Sequence, residues 1–263
     1  MTFEGQVRKM ITENGNPVRY YLNLKDDYLD VNQQLGKKIR IRHAHNECLH
    51  CGLDKDIYRM GYCKTCFFSV PEANENIIRP ELSTAHLGIG KRDLEWEKKF
   101  ELQPHIVYLA VSSEMKVGVT RATQIPTRWI DQGASYAIIL AKTDNRYEAG
   151  MIEVALKNHV SDKTNYLRML KNEVPEVDLI QQKDLFKIYL PEDESRFYTP
   201  DNSVYTFNYP VLNYPEKIKT LNLLKQREFE GMLVGIKGQY WIFEDGTAWN
   251  VRGHEGFYVK LDI

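Results

Sequence analysis

The sequence predicts an α+β protein with a mixed α/β centre between β-rich ends, and three features of its 263 residues predict it. Stretches near both termini alternate apolar and polar residues with a period of two, the pattern of strands with one buried face. The middle of the chain runs strand, strand, helix, strand, helix. Between the first stretch and the middle, all four cysteines are gathered between Cys48 and Cys66.

At this length the chain can bury a core and form two or three compact units. Hydrophobic residues at 43% and charged residues at 27% are ordinary for a globular protein and argue against wide disorder. Met1-Thr2-Phe3-Glu4-Gly5 lacks the basic and apolar parts of a secretory signal, and no stretch is apolar for long enough to span a bilayer. The expectation is a cytoplasmic protein without a membrane partner.

The N-terminal β segment, residues 1–42, holds Tyr20-Tyr21-Leu22-Asn23-Leu24 and the alternating Lys38-Ile39-Arg40-Ile41-Arg42, with a turn at Asn14-Gly15. The C-terminal β segment, residues 204–263, repeats the order of signals. Phe3-Glu4-Gly5 is matched by Phe229-Glu230-Gly231, the tyrosine-led run by Tyr240-Trp241-Ile242-Phe243, and Gly36 with its strand by Gly256 and Phe257-Tyr258-Val259-Lys260-Leu261. So short a β segment struggles to bury a core alone, so the two ends pack together or each caps the middle of the chain, the alternative being two small independent barrels.

The cysteines read Cys48-Leu49-His50-Cys51 and Cys63-Lys64-Thr65-Cys66, within a ribbon expected over residues 43–80. In a reducing compartment two such pairs are tetrahedral thiolate ligands, and four thiolates close the sphere of a structural Zn²⁺. His43, His45 and His50 crowd the first pair as alternative ligands.

A net charge of −1 gives no global pull towards nucleic acid, but seven bases oppose three acids from Gly36 to Cys66. Lys38, Arg40, Arg42, Lys55 and Arg59 are thus candidate contacts for DNA or RNA, expected to form a continuous basic surface beside the zinc; the alternative is a solvated face. Eight acids oppose four bases from Lys171 to Ser203.

Within a core over residues 100–190, Ile106 to Val111 and Met115 to Val119 read as a hairpin, Pro126 to Asp131 as a helix entered through proline, and Tyr136 to Ala141 as a buried strand. Ala149, Ile152, Leu156 and Val160 fall at helical spacing, with Glu153 beside the stripe.

At these residues the chain resembles the GIY-YIG nuclease family. Ile106-Val107-Tyr108 stands for the first tripeptide and Lys116-Val117-Gly118 for the second, Arg128 follows on the first helix, and Glu153 lies on the next long one. The resemblance implies a phosphodiesterase in which Tyr108 activates water, Arg128 holds phosphate and Glu153 binds Mg²⁺, with Asn165 of Asp162-Lys163-Thr164-Asn165 matching an asparagine further on. Lys116 replaces the family's tyrosine and can serve phosphate. Over its length the chain also resembles the domain-of-unknown-function 2797 family, through Cys48 to Cys66, Lys116 to Arg121, Arg128 to Ala134 and Glu153-Val154, a match that assigns no activity.

Each residue has a plainer role open to it. Tyr108 suits a core, Glu153 a helix surface, Trp129 and Asp131 either packing or a groove, Asn145-Arg146 a helix start, and Arg252 with His254 a polar turn. Three functions compete: a metal-dependent nuclease, a binding module that holds nucleic acid through the basic ribbon, Lys116, Arg121 and Arg128, and a structural or interaction protein.

Overall fold

The period-two alternation produces strands β1 (Thr2–Gln6), β2 (Arg8–Glu13), β3 (Arg19–Asn23), β4 (Tyr28–Asp30) and β5 (Lys38–Asn46) in the computed structural model, which describes residues 1–160 and 165–263. In β5, Ile39 and Ile41 are buried while Lys38 and Arg40 point to solvent. The cysteine segment follows as β6 (Ile57–Arg59), β7 (Tyr62–Cys63) and α1 (Lys64–Ser69).

From Pro71 to Leu87 the chain makes single 3-10 turns, and α2 (Leu94–Glu101) closes the segment, N-capped by Asp93 accepting from Trp96 N at 3.0 Å. This segment has little apolar content and is ordered by buried carboxylates. Glu97 accepts from the backbone N–H of Lys91 and Arg92 and from Asn74 Nδ2, and Glu101 accepts from Ala85 N and Asn76 Nδ2. Backbone donors that no regular structure satisfies find strong acceptors this way.

The centre holds β8 (His105–Val111), β9 (Met115–Arg121), α3 (Thr127–Asp131), β10 (Tyr136–Thr143), α4 (Arg146–Lys157), α5 (Tyr166–Leu170) and α6 (Leu179–Phe186). With β11 (Val204–Thr206) they form an antiparallel sheet ordered β11-β10-β8-β9. Every residue of β8 is buried, because both faces of the strand are covered. Val107, Leu109 and Val111 pack with Ala149, Ile152 and Leu156 of α4 and Leu179 of α6, whereas Ile106, Tyr108 and Ala110 join the core of the larger sheet.

The larger sheet adds β12 (Lys219–Thr220), β13 (Glu228–Lys237), β14 (Tyr240–Phe243), β15 (Thr247–Asn250) and β16 (Phe257–Asp262), in the order β1-β16-β5-β13-β14-β15-β12. The first four strands of this order alternate between the two ends of the chain, and they do so as a pseudo-twofold exchange. β1 pairs with β16 so that Phe3 meets Leu261 and Gly5 meets Val259; β13 pairs with β5 so that Phe229 meets Ile41 and Gly231 meets Ile39. The loop bonds repeat as well. Gly36 N donates to Leu233 O and Gly256 N to Val7 O, while Leu233 N donates to Lys37 O and Val7 N to Phe257 O. The repeated order of sequence signals is therefore two similar units, each lending its first strand to the last strand of the other.

Candidate functional site

The hairpin β8–β9, the C-terminal end of α3 and one face of α4 meet at a cleft of about 610 Å³. Tyr108 comes from β8, Lys116, Gly118 and Arg121 from β9, Arg128 from α3, and Arg146 and Glu153 from α4; the segment around Ile77 to Pro80, Phe100 and Met60 add to the wall, as do Lys9, Asp131, Gln132 and Arg252. All four residues named for catalysis thus line one cavity, together with Arg121. The basic stretch from Lys38 to Arg42 does not reach it.

Tyr108 is 1% exposed, and its hydroxyl donates to Gln132 Oε1 at 2.9 Å. Burial raises its pKa, partly offset by the Arg128 guanidinium that also hydrogen-bonds it. Lys116 is pushed down to about 8 by burial and then by Arg128. The guanidinium groups of Arg121 and Arg146 lie over the Phe100 ring, 4.6 and 5.3 Å from its centroid.

Of the pair Asn145-Arg146 expected at a helix start, Asn145 caps α4 by accepting from Glu148 N at 3.1 Å. Arg146 is itself buried. Nε donates to Asn76 O at 2.9 Å and Nη2 to Ile77 O at 2.7 Å, and burial lowers its pKa to about 10. No local pattern signals this residue; its partners lie some seventy positions earlier in the chain.

Glu153 is also buried, beside the apolar stripe of α4. Burial raises its pKa, and Lys157 Nζ, 3.4 Å away, opposes that. Glu81 adds its charge to the same raising effect. Glu81 Oε1 accepts from Arg79 Nε, while Oε2 is buried with no hydrogen-bond partner among the described residues. Gly150 lets this happen. A Cβ there would sit 2.3 Å from Glu81 N, so only glycine permits α4 to lie against the turn at Pro80–Leu82.

Trp129 is fully buried against Tyr108 and Tyr205, as core packing requires. Asp131 ties three elements together: it pairs with Lys9 of β2 and accepts from Gln239 Nε2 at 2.9 Å and Thr12 Oγ1 at 3.4 Å. Asn165 caps α5, accepting from Leu167 N and Arg168 N; Asp162 to Thr164 lie outside the described residues.

Cys48, Cys51, Cys63 and Cys66 have sulfurs all within 4.8 Å of one another, a cluster that can hold a metal ion such as zinc. Cys63 N donates to Cys48 Sγ at 3.3 Å. Burial raises the Cys48 thiol, but hydrogen bonds from the backbone around Cys51, Cys63 and His50 outweigh it and bring it to about 6, whereas burial and the neighbouring thiols hold Cys66 at about 12. Four sulfurs so close cannot all ionise unaided, and a divalent cation is the charge that lets them. His43 and His45 are engaged elsewhere, packed on Phe257 and Tyr258 of β16.

The expected basic surface beside the cysteines is offset by acids on neighbouring strands. Lys38 pairs with Glu230, Arg40 with Glu228 and Glu230, and Arg42 with Asp262. Lys55 is exposed, and Arg59 lies 5.4 Å over the Tyr58 ring.

Among the described residues no helix is long and apolar enough to cross a membrane. No curated protein and no solved structure matches the chain. Residues 36–259, which include the cysteine cluster and the whole cleft apart from Lys9, match the model of a family described as a protein of unknown function, and the chain belongs to that family, DUF2797.

Proposed function

We propose that the chain is a zinc-stabilised protein that acts on nucleic acid, and that its central cleft hydrolyses phosphodiesters in the manner of the GIY-YIG nucleases. The observation that carries this reading is the convergence of Tyr108, Lys116, Arg128 and Glu153 on one cavity that also holds Arg121 and Arg146. Residues far apart in sequence, of the types that phosphoryl transfer needs, share one wall-to-wall space.

In that reading Arg128 and Arg146 hold the non-bridging phosphate oxygens by charge-assisted hydrogen bonds. Tyr108, fixed by Gln132, orients the attacking water. Water adds to phosphorus and gives up a proton to solvent, the bond to the leaving oxygen breaks, that oxygen takes a proton from solvent, and Lys116 steadies the charge that develops. A bound Mg²⁺ would neutralise charge on the phosphoryl group. Glu153 would hold it, and the orphaned Glu81 Oε2 suits a hard cation nearby. The four reduced cysteines fit a cytoplasmic home.

The test is Mg²⁺-dependent cleavage of single- and double-stranded DNA and RNA. Activity that Glu153→Ala abolishes in a folded protein supports the reading; activity untouched by Glu153→Ala and Arg128→Ala refutes it. A second reading, binding without cleavage, is favoured by one feature. Glu153 is ion-paired to Lys157, and six basic side chains, Lys9, Lys116, Arg121, Arg128, Arg146 and Arg252, line the cleft with it. Salt-dependent binding without turnover on any substrate would select it.

A further inference from the structure

A second cavity of about 530 Å³ adjoins the cleft, sharing Met60, Asp131 and Arg252 with it. It forms where the tip of the β6–β7 hairpin meets the turn before β16. Gly61 and Gly256, both at positive φ, allow that joint: a Cβ on Gly61 would lie 2.3 Å from Leu49 Cδ1, and one on Gly256 2.8 Å from Gly61 O. Leu49, Met60, Tyr62 and Tyr240 provide aliphatic and ring surface, and Tyr240 is held by Tyr166, parallel within 7°.

Most polar groups in this cavity are already spent. Asp131 is engaged by Lys9, Gln239 and Thr12. Asn250 donates to Tyr240 Oη and accepts from Gly253 N, and Gln239 accepts from Met10 N. Glu255 Oε1 accepts from Lys9 N at 2.9 Å, which leaves a carboxylate with acceptor sites to spare. Arg252 is exposed on the boundary with the cleft.

The pseudo-symmetric turn in the first half of the chain forms without these two charges. Asn32 stands where Arg252 does and turns inward, accepting from Tyr20 N at 2.9 Å and donating to Val18 O at 2.8 Å. Leu35, packed against the core, stands where Glu255 does. The buried partner is preserved in function: Gln34 Nε2 donates to Asp30 O, and His254 Nδ1 lies 2.7 Å from Asn250 O. The second turn therefore carries an acid and a base that its twin does without.

We infer that this cavity is a nucleobase subsite for guanine, with N1–H and the 2-amino group on Glu255 and the 5′-phosphate at Arg252. A carboxylate matches two adjacent donors, which guanine alone among the common bases presents. Adenine and cytosine set one amino group beside a ring acceptor, and uracil sets one N–H between two carbonyls. Glu72 and Glu255 in the cavity repel phosphate and keep it on the cleft side. The tyrosine rings supply stacking that any base can use, so the selectivity comes from Glu255. The subsite rests on the nucleic-acid reading only for the path of the phosphate.

Titration of the zinc-loaded chain with GMP, AMP, CMP and UMP, followed by calorimetry, tests the subsite directly. GMP should bind about tenfold more tightly than the others, the scale of one matched bidentate pair. Glu255→Gln keeps an acceptor for Lys9 N and should erase that preference, while Arg252→Gln should weaken all four nucleotides without reordering them. Short oligothymidylates with and without one guanine, followed by anisotropy, separate this inference from the broader one. Oligonucleotide binding with no guanine preference overturns the subsite and leaves the cleft reading standing. Guanine-selective binding of GMP with no oligonucleotide binding upholds the subsite and overturns the cleft reading. No binding of either probe overturns both.

Discussion

Gly118 lies directly opposite Tyr108 on the β8–β9 ladder, and a Cβ at Gly118 would sit 2.6 Å from the Tyr108 hydroxyl oxygen. Tyr108 and Gly118 therefore face each other across the hairpin, and the two positions form one structural unit. Gly118→Ala must displace the ring or its bond to Gln132, and should cost about 1–3 kcal/mol by overpacking, read from urea unfolding.

Tyr108→Phe separates packing from chemistry at the same place. The ring stays, and only the hydroxyl donating to Gln132 is lost, so stability should fall by about 1 kcal/mol. In a working nuclease the rate should fall roughly a hundredfold or more, the scale of losing a positioned polar group. A change in stability alone would leave Tyr108 as a core residue.

Metal analysis should find one zinc per chain, and Cys48→Ser with Cys63→Ser should abolish it. The consequence should extend past the cysteines. Arg92 Nη1 donates to Phe67 O at 2.9 Å and to Val70 O at 2.5 Å, and Arg92 N binds Glu97, whose helix orders the segment that holds Arg146. Met60 at the hairpin tip also lines the cleft. Amide exchange in residues 71–89 should therefore quicken when the metal is stripped by a chelator; unchanged exchange would show the cysteine cluster to be energetically separate.

Lys116 gives a pH dependence with a defined sign. Its folded pKa, about 8, lies below the ordinary lysine value of about 10.4. The unfolded chain then binds more protons between those values, so the residue's contribution to stability rises with pH across that window. Anion affinity moves the other way, since it needs the charged form and should weaken as pH passes about 8. Lys116→Met should remove both trends; a variant that keeps them would place the titration elsewhere.

The sequence revealed what depends on local pattern. The hairpin, the buried strand β10, the stripe of α4 and the cysteine cluster each follow from spacing within one short stretch. The repeated signals at the two ends were visible, but their exchange of first strands was not, because periodicity reports which face is buried and says nothing of which strand lies alongside. The cleft was half legible. Tyr108, Lys116, Arg128 and Glu153 stood out through a resemblance, whereas Arg146 and Glu81 depend on the segment around Asn76 to Leu82, whose position is set by buried carboxylates on α2. Net charge along the chain misled about Lys38, Arg40 and Arg42, because the acids that oppose them come from β13 and β16, some two hundred residues away.

That difference between charge in sequence and charge in space yields the last prediction. If nucleic acid is held in the cleft, the cations that matter are Arg121, Arg128 and Arg146, whose cavity contains two carboxylates, Glu153 and Asp131, the second already paired with Lys9. Binding affinity should fall steeply with salt, because each phosphate contact releases counterions, and removal of one contact should lower the slope by about one. Arg121→Gln and Arg128→Gln should each do so. Arg121 and Arg146 share the Phe100 ring, so the loss from a double variant should differ from the sum of the single ones. Lys38→Gln and Arg40→Gln should change the slope little, since Glu228 and Glu230 already neutralise that face. The opposite pattern, with the slope governed by Lys38 and Arg40 and indifferent to Arg128, would move the nucleic-acid surface to the outer face of β5 and leave the cleft without a phosphate to act on.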